Sequence, residues 1–144
     1  MATFHFAADT SKTPDEVFRF LADMRNAPTW DSSITSVVRL DEGEMHSGSA
    51  FRVTLGFLGR PLVLEYVISN FEAPHRVVLR AESLLFVSED VIVIAPMVAG
   101  TTRVTYQASL VGRGAAAVLD PVFKLSINHF GKRAGAKLRE DYLR

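Results

Sequence analysis

The middle of this chain is a run of six short segments rich in β-branched and aromatic residues, near 33–41, 49–57, 61–71, 75–83, 85–95 and 101–111. The separators are brief and turn-forming: Asp41-Glu-Gly-Glu44, Gly59-Arg-Pro61, Ala73-Pro-His75 and Val98-Ala-Gly-Thr-Thr102. Parallel neighbours need long crossover connections, so consecutive strands joined this tightly make an antiparallel meander. That feature dictates the rest. Such a sheet has an inner face it cannot bury alone, and the remainder of the chain must cover it.

The flanks supply the cover. Residues 3–9 are short and partly alternating, as in a first strand. Thr13 then stands as a helix N-cap, Pro14 takes the first helical position, and Asp15 and Glu16 suit the positive helix end. Val17, Phe18, Phe20, Leu21 and Met24 form one apolar face, until Asn26-Ala-Pro28 ends or bends the helix and Trp30 follows in a turn or second helix. Residues 115–142 predict one long helix, with Leu119, Val122, Phe123, Ser126, Phe130, Ala134 and Leu138 near one face. Lys124, Lys132, Arg133, Lys137 and Arg139 fall largely elsewhere, and Lys132, Arg133, Lys137, Arg139 and Arg144, against Glu140 and Asp141, read as a solvated face or an anion-docking one. Pro121 either kinks this helix or marks where its regular part begins. Gly131 and Gly135 interrupt it, for close approach of the sheet or for cavity room. The expected architecture is α+β in one domain, residues 1–144. A bent antiparallel sheet of about seven strands grips a long C-terminal helix, with a short helix pair after strand 1.

Composition bounds the function. Of the 144 residues 48% are hydrophobic and 22% charged, a globular balance. Sixteen basic side chains match 16 acidic ones, against the basic excess of a general nucleic-acid binder. Zero cysteines exclude a disulfide scaffold, a thiolate metal site and a cysteine nucleophile. His5, His46 and His75 are scattered without ligand spacing, so no metal or cofactor is expected. The N-terminus shows no basic stretch leading into an apolar one, and no apolar run approaches the roughly 20 residues of a membrane span. A cytoplasmic protein is the expectation, with monomer or homodimer left open.

Three stretches carry a family resemblance. They are "TPDEVFRFLADMRNAPTWDSSI" (13–34), "FEAPHRVVLRAES" (71–83), and "AGTTRVTYQASLVG" (99–112) before the last helix. The pattern resembles the helix-grip superfamily of START and Bet v 1-like proteins, within it the polyketide cyclase/dehydrase and lipid-transport family. The resemblance spans nearly the whole chain and marks architecture rather than catalysis. It implies a cavity between sheet and last helix for a small hydrophobic molecule.

Strand parity selects the residues facing that cavity. Phe51, Val53, Leu55 and Phe57 share one face; so do Leu62, Leu64, Tyr66 and Ile68; so do Val77, Leu79 and Ala81; so do Val104, Tyr106, Ala108 and Leu110. The inward polar inventory is then Tyr66 and Tyr106, with Thr102 or Ser83 as further members. The segment 85–95 has apolar residues on both parities, so one of Glu89 and Asp90 faces inward unless a bulge intervenes; a solvated position near the sheet rim is the reading favoured on energetic grounds. Expected ligand contacts are Trp30, Phe51, Leu55, Leu64, Tyr66, Leu79, Tyr106, Phe123, Ser126 and Phe130. Tyr66, Tyr106 and His129 are the candidates for catalysis. Each has an ordinary alternative: core packing for the tyrosines, a helix flank for His129.

Three functions remain on this reading. The first is binding or transport of a polyketide, lipid, sterol or quinone. The second is a cyclase, aromatase or dehydratase acting on a poly-β-keto chain, which needs at least two titratable groups converging in the pocket. The third is a protein-interaction module of the coenzyme Q-binding or ribosome-associated type, whose sign is a large exposed apolar patch.

Overall fold

A computed structural model describes residues 2–57 and 59–143. Seven strands form one antiparallel sheet: β1 (Ala2–Thr10), β2 (Ile34–Arg39), β3 (Ala50–Phe57), β4 (Arg60–Glu72), β5 (Arg76–Glu82), β6 (Phe86–Pro96) and β7 (Thr102–Gly112). Their spatial order is β1-β7-β6-β5-β4-β3-β2, so the meander runs unbroken from β2 to β7 and β1 closes onto its last strand. The first helix, α1, is Pro14–Ala22, and the Thr13 hydroxyl accepts a hydrogen bond from the Glu16 amide at 3.3 Å as its N-cap. A 3₁₀ turn over Met24–Thr29 completes the helix pair.

The C-terminal helix is less uniform than its sequence pattern. A 3₁₀ segment, Gly114–Leu119, precedes α2 (Asp120–Lys137), and a π turn, Leu138–Tyr142, ends it. Pro121 therefore marks where the α-helix begins, the second of its two expected roles. Leu119 is a correction: it lies in the 3₁₀ segment before α2 and is 42% exposed, so it belongs to no inner face.

Both helical glycines serve close approach. A Cβ added at Gly131 would lie 2.6 Å from the Phe4 ring, and one at Gly135 would lie 2.7 Å from the Phe6 ring. Helix α2 thus rests directly on β1 through aromatic rings that fill the space two side chains would take. Beyond it, Tyr142 stacks on Phe20 at 3.7 Å between centroids, and Leu138 and Leu143 are buried, which pins the chain end to α1. Lys132, Arg133, Lys137 and Arg139 are exposed. Arg139 lies over the Phe6 ring and donates to the Ala7 carbonyl, so it also braces β1. Arg144 lies outside the described residues.

Candidate functional site

Sheet and helix do not meet everywhere. Between them lies a cavity of about 190 Å³ whose wall is mostly apolar. Leu55 and Leu64 from the sheet face Phe123, Ile127 and Phe130 from α2, and Trp30 enters from the turn after α1. Among the described lining residues there is no Lys, Arg, His, Asn or Gln.

One part of the wall is polar, and register explains how. Tyr66, Ala81 and Ser88 lie in line across β4, β5 and β6. Because Ala81 is small, the Tyr66 side chain passes over it and its hydroxyl meets the Ser88 hydroxyl at 2.8 Å. Asp90 pairs with Ala108, again a small residue, so Tyr106 reaches diagonally from β7 and donates to Asp90 Oδ2 at 2.6 Å. The Trp30 ring meets the Tyr106 ring edge-on at 5.7 Å, which brings the next residue, Asp31, to the same region. Asp31 Oδ1 accepts from the Ser33 amide at 3.0 Å and from the Ser33 hydroxyl at 2.6 Å. Asp23, also on the wall, is committed to Arg25 at 2.6 Å.

These surroundings change proton affinities. Burial raises the Asp90 carboxyl to about 7, with the Asp31 and Glu89 charges adding in the same direction and the Tyr106 hydrogen bond opposing. Asp90 is itself only half-buried, because the cavity lies against it. Closeness of protein on the remaining sides is what governs its charge. Burial likewise raises Asp31, against the two Ser33 hydrogen bonds. Both tyrosines are pushed above the ordinary phenol range, first by burial and then by the Asp90 charge. The arrangement offers a carboxyl able to gain or lose a proton near neutrality, joined to a phenol that stays protonated.

Over residues 1–139 the sequence matches the model of the family described as polyketide cyclase / dehydrase and lipid transport. The chain belongs to that family. No curated protein matches it. Among solved structures, a START superfamily protein from Mycobacterium smegmatis has a TM-score of 0.71 at 11% identity, over 97% of this chain and 99% of its own. The ZhuI aromatase/cyclase from a Streptomyces species has a TM-score of 0.68 at 13% identity, over 95% of this chain and 93% of its own. The di-domain ARO/CYC protein BexL has a TM-score of 0.70 at 16% identity, over 98% of this chain but 46% of its own, so this family member matches about half of it. At such identities the likeness shows a shared helix-grip fold.

Within that fold, Trp30, Leu55, Leu64, Tyr66, Leu79, Tyr106, Phe123, Ser126 and Phe130 all line the cavity. Phe51 does not: it is fully buried in the core beyond the cavity wall. His129 is exposed and only packs edge-on against Phe130, so it faces away from the polar cluster. Thr102 and Ser83 also leave the inventory, being tied to loops. Thr102 donates to the Lys12 carbonyl, and Ser83 Oγ accepts from the Leu85 and Phe86 amides.

The rim reading of the Glu89 and Asp90 pair is overturned. Glu89 faces outward, bonded to Arg80 at 3.0 Å, while Asp90 faces the cavity. Energetics of an isolated buried acid argued against this, but the Tyr106 hydroxyl partly compensates the carboxyl. Sequence reasoning also passed over Ser88, which shares Asp90's parity, and Asp31 and Ser33, which sit in a turn where parity says nothing. Among the described residues no group of three His, Cys, Asp or Glu is placed to hold a metal ion. No described helix is long and apolar enough to cross a membrane.

Proposed function

We propose that the cavity takes up a small, mostly apolar molecule and holds its polar end against Asp90, Tyr106, Tyr66 and Ser88. The observation that carries this is an apolar cavity whose hydroxyl and carboxyl groups, Ser126 of α2 apart, lie on a few positions of β4, β6, β7 and the turn after α1. Apolar walls supply affinity without direction, and a few placed polar groups supply orientation. At about 190 Å³ the space is below the roughly 300–1,000 Å³ of common ligand sites, which favours a compact ligand of one or two rings over a sterol or long acyl chain. Native mass spectrometry of the purified protein, followed by organic extraction, tests the reading. A compact retained molecule, or a rise in melting temperature with added one- and two-ring compounds, supports it. An apo mass together with no thermal response to such a panel overturns it.

A second reading has its own observation, the Asp90–Tyr106 pair. A carboxyl at about 7, held in place by the Tyr106 hydroxyl, removes a proton from carbon next to a carbonyl as its anion and returns it as its acid, while the Tyr66 phenol, with Ser88 as its partner, is the group free to turn its proton to the carbonyl oxygen. That is the proton traffic of a cyclase or dehydratase. On this reading Asp90→Asn abolishes turnover of a keto compound and leaves its binding in place; turnover that survives the substitution removes Asp90 from the chemistry.

A further inference from the structure

Several acids of this protein are matched to cations. Asp9 meets Arg103 at 2.9 Å, Asp23 meets Arg25 at 2.6 Å, Asp41 meets Arg39 at 3.0 Å, and Glu82 and Glu89 meet Arg80 at 2.8 and 3.0 Å. Asp31 and Asp90 are the exception on the cavity wall. Their hydrogen-bond partners are the uncharged Ser33 and Tyr106, and no hydrogen bond from a described residue reaches Asp31 Oδ2 or Asp90 Oδ1. Among the described residues no buried polar side-chain atom is without a partner, so these two oxygens remain accessible at the cavity surface. Among the described residues of the cavity wall there is no Lys, Arg or His to answer them.

We propose that the ligand of this cavity carries a protonated amine, which sits between the Asp31 and Asp90 carboxylates against the rings of Trp30, Tyr66 and Tyr106. The inference rests on the ligand-site reading above and specifies the ligand's charge. Two carboxylates shielded from bulk water without a counter-ion are costly, and an ammonium group entering with the ligand supplies the missing charge. Aromatic faces add attraction for a desolvated cation, and edge-on packing of Trp30 on Tyr106 fixes two such rings beside the acids. The same arithmetic repels carboxylate ligands. A fatty acid would place a third negative charge among two.

Protons compete with the ammonium. The groups acting on Asp90 are Asp31 from the turn, Tyr106 from β7, Tyr66 from β4 across Ser88, and Glu89, whose charge reaches it from the outer face of β6; no residue that α2 contributes to the cavity wall is titratable. Every charge among them is negative, so all of them favour cation uptake as pH rises.

Three near-isosteric probes test this by calorimetry at about pH 8: phenethylamine, phenethyl alcohol and phenylacetate. The expected result is phenethylamine binding at least tenfold tighter than the alcohol, and phenylacetate binding weakest. The amine preference falls several-fold toward about pH 5.5, and Asp90→Asn or Asp31→Asn removes most of it. The two variants are independent routes, so one that fails to fold leaves the other. Alcohol or acid binding as tightly as the amine, or a preference that both variants retain, overturns the inference while leaving the ligand site standing. Failure of all three probes, with toluene also giving no thermal shift, removes the ligand site and this inference together.

Discussion

Asp90→Asn at two pH values is the most demanding test of how this cavity is built. In the unfolded chain the Asp90 carboxyl returns to its ordinary value of 3.8, whereas in the fold it stands at about 7. The folded state therefore holds the extra proton between those values, and stability falls as pH rises through that window. Above about pH 7 the full effect is present: the difference between the two values, at about 1.4 kcal/mol per pKa unit, amounts to about 4 kcal/mol of destabilisation. At about pH 5 only part of that is felt, and the change from about pH 5 to about pH 8 is about 3 kcal/mol. Asn is nearly isosteric, cannot ionise, and its amide oxygen still accepts from Tyr106. The variant should therefore gain on wild type by about 3 kcal/mol between these pH values. Urea denaturation at each pH, read by far-UV circular dichroism, measures it. Asp31, raised by its own burial, acts in the same direction. Parallel stability curves for variant and wild type would refute the claim that the cavity wall holds a strained, shielded carboxyl at Asp90.

Removing the phenol hydrogen bond should have the opposite signature on the acid: Tyr106→Phe deletes the one interaction favouring the Asp90 anion, so its carboxyl resonance in NMR should titrate above about 7. Gly131→Ala should destabilise by about 1–3 kcal/mol despite Ala's better helix propensity of about 1 kcal/mol, because the new Cβ meets Phe4, and denaturation should show the loss shrinking in a Phe4→Leu background. Thr13→Ala should cost about 1 kcal/mol by loss of the α1 N-cap, again by urea denaturation; an unchanged midpoint would remove that cap from the account. Trp30 is the sole tryptophan and lines the cavity beside Tyr106, so a ligand bound there should shift its emission, while one bound elsewhere on the surface should not.

Much of this architecture was legible in the residues. Turn-forming separators between strand-like runs required an antiparallel meander, and Thr13-Pro14 marked the start of α1, because these signals act within a few residues of themselves. Parity likewise put Leu55, Leu64, Tyr66, Leu79 and Tyr106 on the inner face, since a strand's side chains alternate whatever packs on them. It could not separate wall from core: Phe51 shares that parity and lies buried where no cavity reaches.

Cross-strand register was the larger gap. Asp90 faces inward beside Tyr106 only because β6 and β7 pair with Asp90 opposite Ala108, and Tyr66 reaches Ser88 only because Ala81 lies between them. Asp31 joins them through the packing of Trp30, on a turn that has no period to read. The sequence by itself determined the elements, their order and which side of each strand is apolar, since backbone sterics and local periodicity are properties of short segments. Which acids share one apolar chamber, and how far their protons are held, was decided only by the tertiary structure. Burial and charge–charge effects depend on distances through space between residues that lie tens of positions apart in the chain.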